Sequence, residues 1–324
     1  PRTHSRSPML MNAALIKLLQ TLLVLLIVSV VAFFFLKMAP GDPVMLLLGS
    51  EYSPQAYARL MHELGLDQPV TVQYLHWLGR FVQGDWGISY VTRDNIFKQA
   101  VLQALPVTLS LATLSLLMAL TLGIPAGLLA ALFRGRWVDG LVSSLSVLGS
   151  AFPSFYLGII LIWVFGVELG WFPTMGFVRP WDDFWDGLYH LALPAITLAV
   201  YYTGLIAITT RSSLIEVLNQ PFIAAVRARG EPMVRVVGVH AMRNVMMPLV
   251  TVIGLQLGGL LRGAVMTEVV FAVPGLGQMI TTAVLSREYG VVQAGVMLTA
   301  LFFVMVNLVV DQTYRFLDPR LRAR

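Results

Sequence analysis

Six apolar stretches set the pattern of this chain. Residues 18–36, 99–133, 140–167, 187–210 and 289–310 carry no Asp, Glu, Lys or Arg. Residues 244–261 are likewise uncharged, and the apolar pattern continues past Arg262 to Phe271. A helix needs roughly 20 apolar residues to cross the hydrocarbon of a bilayer. The pattern therefore predicts an all-α integral membrane protein with six transmembrane helices. The first stretch is not a cleaved signal peptide, because its apolar core is too long and no small-residue cleavage site precedes Lys37-Met38-Ala39-Pro40.

Between the stretches the pattern changes. Segment 39–98 has turn signals at residues 39–43 and 67–69, and within it Tyr74, Leu75, Leu78, Phe81 and Val82 recur at helical spacing beside Trp77. That spacing predicts an amphipathic helix lying on the membrane surface or against the bundle. Segment 168–186 is rich in Trp and Pro, with Trp171, Trp181 and Trp185 placed as interfacial anchors. Segment 211–247 is the most unusual. Asn219 and Pro221 signal a helix start, residues 222–229 can form a short helix ended by Gly230 and Pro232, and residues 234–247 a second one leading to Pro248. A short capped helix held between two long ones has the shape of a lever.

Composition agrees with the pattern: 57% hydrophobic, 12% charged and a mean hydropathy of +0.77 leave too little polar surface for a water-soluble particle. The net charge of +5 is positional. With the N-terminus inside, the inner segments hold twice as many Lys and Arg as the outer ones, and the acidic residues lean the other way. Both termini are therefore expected in the cytoplasm, and the basic excess is a topology signal, not a nucleic-acid patch. The expected organisation is a leader at 1–11 that is not wholly native, helix one at 12–38, an outer segment at 39–98, a five-helix core at 99–317 containing the cytoplasmic loop 211–247, and a cytoplasmic tail at 318–324.

Several chemistries are excluded or disfavoured. The absence of cysteine removes disulfides, thiolate metal sites, Fe–S clusters and cysteine nucleophiles. The five histidines are scattered without ligand spacing, so no metal site is expected. Lys occurs only at 17, 37 and 98, and none follows the GxxxxG of a phosphate-binding loop, so the chain is not an ATPase and no cofactor is expected in it. Rows of small residues, Ala119/Gly123/Gly127/Ala131 and the pairs Gly254/Gly258 and Gly259/Gly263, allow close helix approach within the chain or between subunits.

Arg262 is the one basic residue inside a stretch. It lies about 21 Å past Pro248 at ~1.5 Å per residue, where a charge costs roughly 2.5–3.5 kcal/mol on insertion scales. It should face a cavity or a partner, as a residue lining a solute pathway or as half of an ion pair. Glu268 is six residues further on and badly placed around the helix to serve as that partner.

The order of short strings carries a resemblance. PGDP (40–43), LGLDQP (64–69), GDWGIS (84–89), RSS (211–213), Ala228-Arg229-Gly230, His240-Ala241-Met242-Arg243-Asn244, Met247-Pro248, VTVIGLQ (250–256), PGLG (274–277), NLVVD (307–311) and LDPRLR (317–322) together resemble the permeases of binding-protein-dependent ABC importers, in the dipeptide/oligopeptide/nickel branch. The resemblance implies that the loop helix is a coupling helix that docks on an ATPase. Its contact surface would be Phe222, Ile223, Ala224, Ala225, Arg227, Ala228, Arg229 and Gly230. It also implies a second homologous permease, two cytoplasmic ATPase subunits that bind ATP and Mg, and an extracytoplasmic solute-binding protein, all at the bacterial inner membrane. Di- or oligopeptides are the expected solutes, with glutathione-like, nickel and metal-chelate substrates as alternatives. The chain departs from the branch at Pro221-Phe222, Ala224-Ala225, Glu231 and Gly290. A proton- or sodium-coupled secondary transporter is the rival class, and it would favour acidic groups near the midplane of the spans.

Overall fold

The computed structural model describes residues 6–38, 43–48, 52–63 and 65–317. The tail at 318–324 and most of the PGDP turn lie outside the described residues. The described elements are helical: α1 (Arg6–Met38), α2 (Pro43–Leu48), α3 (Pro54–Glu63), α4 (Val70–Val82), a π-helical turn (Lys98–Ala104) leading into α5 (Leu105–Leu132), α6 (Trp137–Ala151), α7 (Ser154–Leu161) with a π-helical turn (Ile162–Glu168), α8 (Phe184–Leu218), α9 (Pro221–Ala228), α10 (Met233–Arg235) with a π-helical turn (Val236–Ala241), α11 (Met242–Phe271), α12 (Leu276–Leu285) and α13 (Tyr289–Leu317). Among the described residues four helices are long and apolar enough to cross a membrane, or five when α6 and α7 count as one bent span. α1 carries a further apolar stretch, Leu19–Phe35. The chain forms two compact units, Pro1–Leu105 with Met279–Met305, and Pro106–Gln278 with Val306–Arg324.

In the first unit, α4 uses its aromatic face on α1 rather than lying free. Phe33 is 4% exposed and sits 5.4 Å from the Tyr74 ring and 5.6 Å from that of Trp77. The Ser29 and Tyr74 hydroxyls hydrogen-bond at 2.8 Å. Further along, Phe81 stacks on Trp86 at 4.5 Å, and Trp86 meets Phe97 edge-on at 5.0 Å. Trp86 Nε1 donates to the Phe81 carbonyl, so the polar edge of the indole is satisfied inside this cluster.

In the second unit α8 is the central helix: 61% of its apolar window is buried, against 33–39% for the other three long spans. Its Leu191, Leu193, Leu198 and Leu214 are fully buried with Leu111, Leu249 and Leu260 from neighbouring helices. The row Ala119/Gly123/Gly127/Ala131 is buried as well. A Cβ on Gly123 would lie 2.9 Å from the Thr203 carbonyl oxygen, so this row serves packing of α5 on α8 within the chain.

Two expectations change. The stretch 140–167 is not one straight span: its halves meet at 102° between α6 and α7. The break falls at Phe152-Pro153, where Phe152 is extended (φ −77°, ψ 131°), as a residue before proline prefers. Pro153 also withholds a helical N–H. Pro248, by contrast, does not mark a helix end. It lies inside α11, and a continuous helical run extends from Met233 to Phe271. Prolines are accommodated in membrane helices because neighbouring groups can satisfy the freed carbonyl.

Candidate functional site

Two regions of the second unit carry the features singled out by the sequence. The first is the segment between α8 and α11. The chain leaves α8 at Asn219, which closes that helix instead of capping the next one (φ −89°, ψ 0°). Gln220 is the residue that precedes α9, and Pro221 occupies its first turn, where a missing N–H costs nothing. Gly230 turns the chain at φ +80°, a left-handed conformation that side chains rarely adopt. Ile223 and Val226, three residues apart, point the same way and are buried in a cluster with Leu214, Val217, Val236, Val237, Ala241 and Val245.

That burial sorts the sequence-predicted contact residues. Ile223 is fully buried, so it anchors α9 and is not part of an exposed surface, a correction that follows from its three-residue spacing to Val226. Phe222, Ala224, Ala225, Arg227, Ala228, Arg229 and Gly230 are exposed. Among the described residues neither Arg227 nor Arg229 has an ion-pair partner, whereas Arg235 pairs with Glu231 at 3.0 Å. The outer face of α9 is thus a small apolar patch flanked by two unneutralised guanidinium groups.

The second region is an open cleft of about 410 Å³. The break in the third span forms one wall, with Ser150, Pro153 and Ser154; α8 supplies Tyr201 and Tyr202, and α11 supplies Gln256 and Arg262. Arg262 is exposed here, and no described carboxylate lies within ion-pair distance of it. Gly259 keeps the floor open: a Cβ there would come to 3.3 Å from both the Tyr202 hydroxyl and Gln256 Oε1. Interrupted membrane helices are tolerated where they line a cavity, and such breaks commonly flank solute sites in transporters. The cleft therefore offers one fixed positive charge, hydroxyl and amide hydrogen-bonding groups, and aromatic faces.

Three polar clusters escaped the sequence reading. Asp139 of α6 pairs bidentately with Arg211 of α8, Nε to Oδ1 at 2.5 Å and Nη2 to Oδ2 at 2.8 Å. Glu268, six residues past Arg262, is fully buried and accepts from Thr108 Oγ1 at 2.7 Å and the backbone N–H groups of Gly277 and Gln278 at 2.7 and 3.2 Å. In the first unit, Glu288 accepts from Ser89 Oγ at 2.9 Å and from the N–H groups of Tyr90 and Val91 at 2.5 and 2.8 Å. A lone acidic residue at the edge of an apolar helix is the only sequence signal these clusters share. Among the described residues no group of three His, Cys, Asp or Glu side chains could hold a metal ion.

Comparison with known proteins agrees on one kind of molecule. Residues 123–323 match the family described as "Binding-protein-dependent transport system inner membrane component", and residues 10–112 match its N-terminal companion. The chain is 40% identical over 315 residues to the glutathione transport system permease protein GsiC of Escherichia coli K12, covering 97% of this chain and 100% of that protein. The Salmonella typhimurium GsiC is 41% identical over the same lengths. Among solved structures, the inward-facing MetNI methionine ABC transporter aligns with a TM-score of 0.51 at 20% identity, covering 65% of this chain and 93% of that one, a likeness of fold.

Proposed function

Because this chain belongs to the binding-protein-dependent family of inner-membrane transport components, we propose that it passes peptide-class solutes, glutathione-like tripeptides foremost, inward along a path lined by Arg262, while α9 docks on a cytoplasmic ATPase. The chain is a permease subunit of an ABC importer, a multi-pass protein of the inner membrane, and ATP hydrolysis resides in partner subunits. Six spans with both termini in the cytoplasm complete the proposed topology, α1 and the bent α6–α7 pair each counting once. The twofold bias of Lys and Arg towards the inner segments supports it.

The observation that carries the pathway role is the exposure of Arg262 in the cleft with no carboxylate partner among the described residues. A guanidinium inside a span cannot rest against lipid without cost, so it requires water, solute or another polypeptide beside it. Peptides and glutathione bring a carboxylate that a guanidinium binds in bidentate fashion. The cleft's hydroxyl and amide groups can hydrogen-bond the peptide units, and the openness of this face suits a second permease subunit closing over it.

For coupling, the exposed patch Phe222, Ala224, Ala225, Arg227, Ala228, Arg229 and Gly230 provides the docking surface, and buried Ile223 fastens it to the bundle. A partner groove with apolar lining and acidic rim would fit it. ATP and Mg belong to that partner, and solute arrives from an extracytoplasmic binding protein.

The test uses the complete transporter in proteoliposomes with its binding protein. Arg262→Ala should lower glutathione or peptide uptake at least tenfold, by loss of a charge-assisted contact worth about 1.5–3 kcal/mol, with subunit assembly and basal ATP hydrolysis retained. Unchanged uptake would remove Arg262 from the path.

A further inference from the structure

α6 and α8 lie backbone to backbone. A Cβ on Gly204 of α8 would come to 2.5 Å from the Ser146 carbonyl oxygen of α6. About one turn along, a Cβ on Gly149 would lie 3.0 Å from Val200 Cγ1. In the opposite direction, about 10 Å from the Ser146–Gly204 contact on each helix at ~1.5 Å per residue, Asp139 meets Arg211. Asp139 is only 7% exposed and its oxygens are fully engaged. Arg211 donates through Nε and Nη2, the Gly135 N–H donates to Oδ2 at 2.9 Å, and Ser143 Oγ donates to Oδ1 at 3.4 Å. A bidentate guanidinium–carboxylate pair fixes orientation as well as distance. Close packing therefore holds one end of the helix pair and an ion pair the other.

The ends of this pair lead to the two regions already described. Beyond Arg211, α8 runs on to Leu218 and hands the chain to α9. Beyond the Gly149 contact, α6 ends at the Phe152-Pro153 break, and Ser150 and Tyr202 line the cleft. We infer that Asp139 and Arg211 are the positioning pair that makes α6 and α8 one rigid strut, through which displacement of α9 reaches the wall of the solute cleft. Without the pair, α8 can tilt at its α9 end while α6 stays in place, and ATP-driven movement is lost before it reaches the break. The inference rests on the docking role proposed for α9.

The test uses the assembled transporter with its binding protein. Asp139→Asn should leave ATPase co-purification and basal hydrolysis within about twofold of wild type, while solute taken up per ATP hydrolysed falls about tenfold, within the range by which such couplings are modulated. The chain has no cysteine of its own, so Gly149→Cys with Val200→Cys supplies a clean cross-link: a sulfur at the Val200 Cγ1 position stands 3.0 Å from the Cβ of residue 149, in reach of disulfide geometry. This cross-link sits at the end that close packing already holds, so in the Asp139→Asn background oxidation should leave uptake per ATP low, whereas Asp139→Glu, which keeps a carboxylate for Arg211, should retain it near the wild-type level. Cross-linking the otherwise wild-type chain should leave transport unchanged. Loss of transport in that cross-linked chain would show that α6 and α8 must slide, and would overturn the strut. Uptake per ATP unaffected by Asp139→Asn would overturn it equally. Failure of the docking reading shows elsewhere, as undiminished ATPase co-purification when Arg227 and Arg229 are both changed to Glu.

Discussion

Removal of the Glu268 side chain should destabilise this protein about as much as truncation of a fully buried leucine, and the structure says why. The first turn of α12 presents three N–H groups, those of Leu276, Gly277 and Gln278, that have no helical acceptor. Glu268 takes the second and third, and Thr108 Oγ1 takes the first at 2.8 Å while donating its own proton to Glu268 Oε1. The carboxylate is 0% exposed, so each of these groups is without water if it leaves. An orphaned buried donor costs about 1–3 kcal/mol. Glu268→Ala removes the carboxylate acceptor from two N–H groups and one hydroxyl. Relief from desolvating the carboxylate offsets part of that total, leaving a net loss of about 3–5 kcal/mol. Glu268→Gln keeps one acceptor oxygen and should lose about 1–2 kcal/mol. The assay is unfolding of the purified subunit in mixed detergent micelles titrated with SDS, and a double-mutant cycle with Thr108→Val should show coupling of at least about 1 kcal/mol. A Glu268→Ala protein within about 0.5 kcal/mol of wild type, or additive effects of the two mutations, would refute the reasoning.

Two further predictions concern the first unit. Glu288→Ala should free the Ser89–Val91 turn it holds, raising hydrogen exchange at the Tyr90 and Val91 amides by at least tenfold, a loss of about 1.4 kcal/mol; unaltered exchange would show that the turn holds itself. Hydrogen bonding and the charge of Asp67 raise the His62 pKa above its usual value, and His62 in turn lowers that of Asp67. The histidine contribution is complete below its unfolded pKa and fades as pH rises through the raised value; that of Asp67 fades as pH falls through its lowered one. Local protection around residues 62–67 should be greatest between these two limits, and Asp67→Asn should bring the His62 titration, followed by NMR, back down.

The limits of the sequence reading have physical causes. The six apolar stretches and the short helix at 221–228 were visible because length and proline placement act locally. The partners distant along the chain were not: Thr108 and Glu268 are 160 residues apart, and Ser89 and Glu288 are 199 apart, separations over which no periodicity carries information. Phe152-Pro153 was hidden because apolarity measures solvent preference and is blind to a bend. Ile223 was placed on the docking face because strings resemble one another position by position, whereas burial follows the helical repeat that pairs it with Val226. The row from Ala119 to Ala131 announced a close approach in the sequence but not its partner, which the Gly123–Thr203 distance identifies as α8. Arg262 stood out because a charge in an apolar stretch is costly wherever the fold puts it.

The central claim is that this permease moves a carboxylate-bearing solute inward with energy supplied through α9. It is tested most directly by uptake of labelled glutathione into proteoliposomes holding the complete transporter. The account predicts accumulation that requires both ATP and the binding protein, is unaffected by dissipating proton and sodium gradients, and is lost when Arg227 and Arg229 are changed to Glu. Accumulation driven by an ion gradient without ATP would contradict it.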